Sequence, residues 1–156
     1  RSLGIPTIYY RALQALMELG MEPEWEARFE PNSYGFRPGR STHDAIQAIY
    51  DSIKQKPKYV LDADISECMK RINHNALLGK LGRTPYRRLI KQWLKSGVFD
   101  NNQIRPTLQR LGILQGEVIS PLLANIALHG IEERINQLAK TLDAKRKDST
   151  LVNILG

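Results

Sequence analysis

Asp62 and Asp64 stand two residues apart in KYVLDAD, residues 58–64, where Tyr59, Leu61 and Ala63 alternate with Val60, Asp62 and Asp64. Such alternation predicts a β-strand, whose successive side chains point to opposite faces, so both carboxylates leave the same face. At the end of a strand, Asp64 can meet solvent and ligand together. Magnesium prefers oxygen ligands and retains waters, so one or two carboxylates with substrate phosphates suffice to hold it. A plainer reading, two solvent-facing residues on a half-exposed strand, fits the same spacing.

A second chemical cluster lies in SYGFRPGR, residues 33–40, where Tyr34 and Phe36 stand beside Arg37 and Arg40 among glycines. Such a loop can stack on a base and bind phosphate, or it can be a tight turn with its aromatics packed inward. His43, His74 and His129 are far apart and lack ligand spacing, which suits surface or capping roles. Cys68 is the only cysteine. That excludes a disulfide framework and a cysteine-based zinc site, and it makes a reducing, cytoplasmic setting the default.

The elements that must position these residues are mostly helical. Pro6 suits a first helical turn, and Ile8, Ala12, Ala15, Leu16 and Leu19 form a helical stripe that Gly20 is expected to stop. Pro23 then starts a short second helix carrying Trp25 and Phe29. Ser41 and Asp44 have capping-box spacing ahead of the stripe Ile46, Ile49, Tyr50 and Ile53. Helices are expected at 73–81 and 85–96, the second with Tyr86, Leu89, Ile90, Trp93 and Leu94 facing inward. Residues 98–119 read as extended or looped. Ser120 then caps one long helix from Pro121, with the stripe Leu123, Ile126, Ala127, Ile131, Ile135, Leu138 and Leu142. Long helices around few strands predict an α+β class.

The 156 residues suit one domain or two subdomains. A hydrophobic content of 42% can build a core, and a mean hydropathy of −0.38 with 25% charged residues suits a folded, soluble chain. No run of about 18 apolar residues or signal-peptide segment is present, so no membrane partner is expected. Net charge is +7, and it is uneven: residues 1–78 hold 10 Lys/Arg and 10 Asp/Glu, whereas 79–156 hold 13 and 6. The surplus, with Arg83, Arg87, Arg88, Lys91 and Lys95 giving the region of the 85–96 helix a basic outer surface and a Lys145–Lys147 cluster behind, points to a polyanionic partner, most commonly nucleic acid.

Taken in order, RSLGIPTIYYRALQ, SYGFRPGRSTHDAI, VLDADISECMKRINH and LQGEVISPLLANIALHG resemble the blocks of group II intron reverse transcriptases and maturases. There the matching stretches read RPLGIPT, SYGFRPGRS.HDA, a strand ending in Asp followed by a Phe-Asp pair, and TPQGGVISPLLANI. The resemblance spans almost the whole chain. It implies the fingers and partial palm of a right-hand polymerase: helix-rich, with a small incomplete antiparallel sheet, fingers at 1–56 and palm from 57 to 156. It also implies RNA template or intron RNA, DNA primer and deoxynucleotides as partners, with Mg2+ as cofactor. Arg1 matches a fingers arginine that contacts the incoming triphosphate. Asp64 matches the first catalytic palm aspartate, with the backbone carbonyl of Ile65 as a second metal ligand. Gln115 and Gly116 match the nucleotide-pocket Gln-Gly, and Arg37 and Arg40 lie in a region associated with template contact.

Departures from the pattern fall near the pocket. Met69 replaces the Phe that lies against the sugar, Lys70 replaces Asp and brings a cation toward the metal site, and Glu117 replaces Gly. Ile113 and Leu114 replace Thr-Pro, Ser2 replaces Pro, and Tyr10 replaces Asp. No Tyr-Ala-Asp-Asp segment follows LVNILG. The expectation is therefore a polymerase-type fragment inactive by itself. The alternatives are an RNA-binding maturase remnant that assists intron folding, or the product of a degraded gene.

Overall fold

Met17, Met21 and Trp25 recur every fourth residue and share a buried face with Gln14, and this periodicity dictates the first element. In the computed structural model, which describes residues 6–55, 60, 62–96, 98–100, 103–105, 112–113 and 116–142, a single helix α1 covers Ile8–Glu26. It passes through both Gly20 and Pro23, where a stop and a fresh start are expected. Pro23 is exposed, so its missing N–H costs one solvent-side hydrogen bond while the buried face continues. Gly20 serves packing: a Cβ there would stand 2.6 Å from the Tyr86 hydroxyl. The expected apolar stripe lies on the other face, with Leu16 and Leu19 67% and 68% exposed.

The remaining elements are α2 (Thr42–Ile53), α3 (Cys68–Arg71), α4 (His74–Leu81), α5 (Arg87–Leu94), the strands β1 (Val98–Asp100) and β2 (Gln103–Arg105), α6 (Ser120–Leu128) and α7 (Ile131–Leu142). The capping box of α2 forms as expected: the Ser41 hydroxyl accepts from the Asp44 amide, and the Asp44 carboxylate accepts from the Ser41 amide. Its predicted apolar stripe does not face inward, since Ile46, Tyr50 and Ile53 are exposed and Ala45 is the buried residue. Asn73 caps α4 through its side-chain oxygen. β1 and β2 form an antiparallel pair, Phe99 opposite Ile104. The fold is helix-rich, and this pair is the one sheet among the described residues.

Two compact units result, residues 1–25 with 65–127 and residues 26–64 with 128–156. Each combines segments from either side of position 56. The first holds most of the apolar core: Met17, Met21, Leu77, Leu78, Leu81, Ile90, Trp93, Leu94, Ile119, Leu122, Leu123 and Ile126 are buried. At about 1.5–3 kcal/mol for each large apolar side chain, this burial is its main source of stability. The second unit is organised around polar ties. One of them ends the expected long helix: at Gly130, with φ +92°, the chain turns and separates α6 from α7.

Candidate nucleotide and metal site

The segment carrying Asp62, Asp64 and Ile65 is exposed and has no regular secondary structure. The strand expected at 58–64 is therefore not formed at 60 and 62–64; Lys58, Tyr59 and Leu61 lie outside the described residues. A strand is held by its neighbour's backbone, and no partner strand pairs with this segment among the described residues. Asp64 and the Ile65 carbonyl can supply part of an oxygen shell, water and phosphate the rest. Among the described residues no three His, Cys, Asp or Glu side chains converge to hold a metal ion by themselves.

Beyond Ile65 the chain turns through Glu67, whose φ of 52° and ψ of 40° put a non-glycine residue in the left-handed region. Its carboxylate takes Lys70 Nζ at 2.6 Å, and Arg71 Nε lies 4.0 Å away. The Lys70 hydrogen bond and charge hold Glu67 below the usual carboxylate value. Lys70 is thus a paired cation rather than the free competitor for magnesium that the sequence suggests. Cys68 is half-buried, and burial pushes its thiol up, away from thiolate chemistry.

Met69 and the segment leading to Gly116 are brought together by backbone. The Gly112 amide donates to the Ile72 carbonyl at 2.8 Å and the Ile113 amide to the Met69 carbonyl at 2.7 Å. The buried ring of His74 donates from Nε2 to the Gly112 carbonyl at 2.6 Å. Only glycine suits position 112, where φ is +97° and a Cβ would stand 2.9 Å from the Lys70 carbonyl oxygen. Gly116 is exposed, while Gln115 and Arg1 lie outside the described residues. On the far side of Gly116, the Val118 amide donates to Gln14 Oε1 at 3.0 Å, and Gln14 also hydrogen-bonds Glu117. Burial raises the Glu117 carboxyl, and the Gln14 bond offsets only part of that. Gln14 is a positioning residue that the motif reading misses. Its signal was a glutamine on the face shared by Met17, Met21 and Trp25.

In the second unit, Arg37 is not presented to a template. Its side chain is 3% exposed and pairs with Glu26 at 2.8 Å. Nη1 donates to the carbonyls of Glu30 and Ser33, each at 2.8 Å, and the guanidinium lies over Phe29. A carboxylate eleven residues upstream and the turn's own carbonyls consume the donors that the sequence suggests for phosphate. Arg40, part-exposed, folds back on its own turn, donating to the Pro31 carbonyl and lying over Tyr34. Phe36 projects outward with a left-handed φ of 53°. Glu30 accepts from His129 Nδ1 at 2.8 Å and from the Gly130 amide. Burial pushes Glu30 up, but the bonds from His129 and the backbone outweigh it and hold the carboxyl below its usual value.

Arg83, Arg87, Arg88, Lys91 and Lys95 all lie exposed on or beside α5, opposite buried Ile90, Trp93 and Leu94. The Lys145–Lys147 cluster is outside the described residues. No described helix is long and apolar enough to cross a membrane.

Residues 1–151 match the reverse transcriptase (RNA-dependent DNA polymerase) family. The chain is 34% identical over 145 residues to Protein YkfC of Escherichia coli, covering 88% of this chain and 38% of that protein. It is 35% identical over 147 residues to the group II intron-encoded protein LtrA of Lactococcus lactis, covering 92% of this chain and 24% of LtrA. Over 93 residues it is 26% identical to the nuclear intron maturase 1, mitochondrial, of Arabidopsis thaliana, covering 60% and 13% of the two chains.

Proposed function

Because the chain belongs to the reverse transcriptase family, in its group II intron-encoded branch, we propose that it forms the fingers (1–56) and part of the palm (57–156) of an RNA-directed DNA polymerase. The supporting observation is the backbone clasp at Met69, Ile72 and Gly112–Ile113, which joins the segment after Asp64 to the segment before Gly116. These are the two stretches that would flank an incoming deoxynucleotide. Gln14 fixes the far end of the second stretch through Val118.

In this reading Asp64 and the Ile65 carbonyl hold magnesium, which when bound stabilises charge on the attacking and leaving oxygens. Arg1 meets the triphosphate, Gln115 and Gly116 border the base pair, and Met69 lies against the sugar. Methionine is flexible, so it excludes a ribose hydroxyl less rigidly than a phenyl ring. Two-metal transfer needs more carboxylates than Asp64. The 156-residue chain therefore binds RNA template and primer without extending the primer. A second reading, a maturase that assists intron RNA folding, is favoured by the basic surplus of the second half.

The test is single-turnover extension of a labelled DNA primer on RNA by the purified chain at high magnesium, beside a gel shift of the same primer–template. Binding without product is expected. Product that vanishes in Asp64→Asn would overturn the inactive-alone reading. Failure to bind would overturn the polymerase reading itself.

A further inference from the structure

From Cys68 to Phe99 the sequence has eight Lys/Arg and no Asp/Glu. Some exposed or part-exposed cations elsewhere have acceptors: Lys54 has Asp51, Lys70 has Glu67, and Arg40 has the Pro31 carbonyl. α5 is different. Among the described residues no carboxylate pairs with Arg83, Arg88, Lys91 or Lys95, and Arg87 is braced by its Nε donating to the Leu78 carbonyl at 3.1 Å. The opposite face is fixed by Ile90, which is fully buried, with Trp93 and Leu94. The helix therefore cannot roll to bring other side chains outward.

We propose that the outer face of α5 is a docking surface for the phosphate backbone of duplex nucleic acid. The proposal rests on the nucleic-acid reading above and adds a surface made of none of the pocket residues. Arg88, Lys91 and Lys95 recur at i, i+3 and i+7, so they line one face over about 10 Å of helix axis. A duplex carries about three phosphates per strand over that length. An acidic protein fits less well. Protein interfaces bury an apolar centre, and no large apolar side chain is exposed on α5. The surface grips backbone and reads no base, so its affinity is independent of sequence and falls steeply with salt.

The experiment is titration of the full 156-residue chain with a 20-base-pair RNA duplex across a range of salt concentrations. Arg88→Gln/Lys91→Gln/Lys95→Gln is compared with Lys54→Gln/Arg134→Gln/Lys140→Gln, which removes the same charge from α7 and the end of α2. Loss of three phosphate contacts is expected to flatten the log–log salt slope by about 2 to 3 and to weaken low-salt binding tenfold or more, with the control much less affected. Arg88→Lys/Lys91→Arg/Lys95→Arg keeps the charge and should bind like the parent. This guards against misreading a folding defect. Equal effects in the first two variants would overturn the proposal, as would a parent that binds polyglutamate as tightly as RNA. If the parent binds no nucleic acid at all, the reading beneath it fails too; parent binding that ignores the α5 triple variant sinks only this surface.

Discussion

Arg37 and Arg88 are the same residue in two regions and do opposite things. Arg37 lies in a turn whose neighbours include Glu26 and free carbonyls, so its guanidinium is drawn in and locks residues 26–40. Arg88 lies in a stretch without carboxylates, on a helix whose inner face is already taken by Ile90 and Leu94. The difference teaches that a basic residue's role follows from the acceptors its own chain supplies. Charge counted along a sequence does not separate a structural tie from a docking group.

The largest expected effect sharpens this comparison. Arg37→Ala leaves Glu26 unpaired and two carbonyls without donors, a loss of about 3 kcal/mol, whereas Arg88→Ala changes stability by less than about 0.5 kcal/mol. Urea unfolding of both variants checks the contrast, and equal effects would break it. Next is Gly112→Ala, which must relieve both a left-handed φ and contact with the Lys70 carbonyl. A loss of about 2 kcal/mol is expected. Gly20→Ala is the corresponding change on α1, and Tyr86→Phe in the same chain should recover part of its loss by removing the nearest atom.

Acidity separates Glu30 and Glu117 in sign. The folded value of Glu30 lies below its ordinary 4.5, so its contribution is present above that pH and is lost as pH falls through the lowered value. Glu30→Gln should thus cost stability at pH 7 and little at the acid end. Glu117 is raised, so its cost grows as pH rises above 4.5. Glu117→Gln should stabilise the neutral protein and leave the acid form nearly unchanged. Unfolding midpoints from pH 3 to 7 read both trends, and parallel curves would refute the assignment. The smallest effect is Glu67→Gly. Release of the left-handed φ and loss of the exposed Lys70 pair nearly offset, so the urea unfolding midpoint should barely move.

Local signals were legible where local chemistry decides. The Ser41–Asp44 box could be read from a few residues, and so could the inward Ile90, Trp93 and Leu94. Errors arose where a distant residue decides. Gly20 looked like a stop because Tyr86, which needs the space, is 66 positions away. The break at Gly130 depends on Glu30. For the site, the family blocks named Met69 and Gly116, yet Gln14 was invisible to motif matching because its partner, Val118, is 104 residues distant. The paired state of Lys70 was hidden in its spacing from Glu67, three positions earlier.

Those long separations also set the order in which the protein can be made. Gln14 cannot meet Val118, nor Glu30 meet Gly130, until some hundred further residues exist. Closing a loop of that length costs about 4 kcal/mol of chain entropy beyond a constant. At roughly 5–20 residues per second, the ribosome needs on the order of 5–20 seconds to supply them. Throughout that interval Gln14 and Glu30 lack these late partners, and the apolar face of Met17, Met21 and Trp25 on the unfinished unit invites chaperone capture.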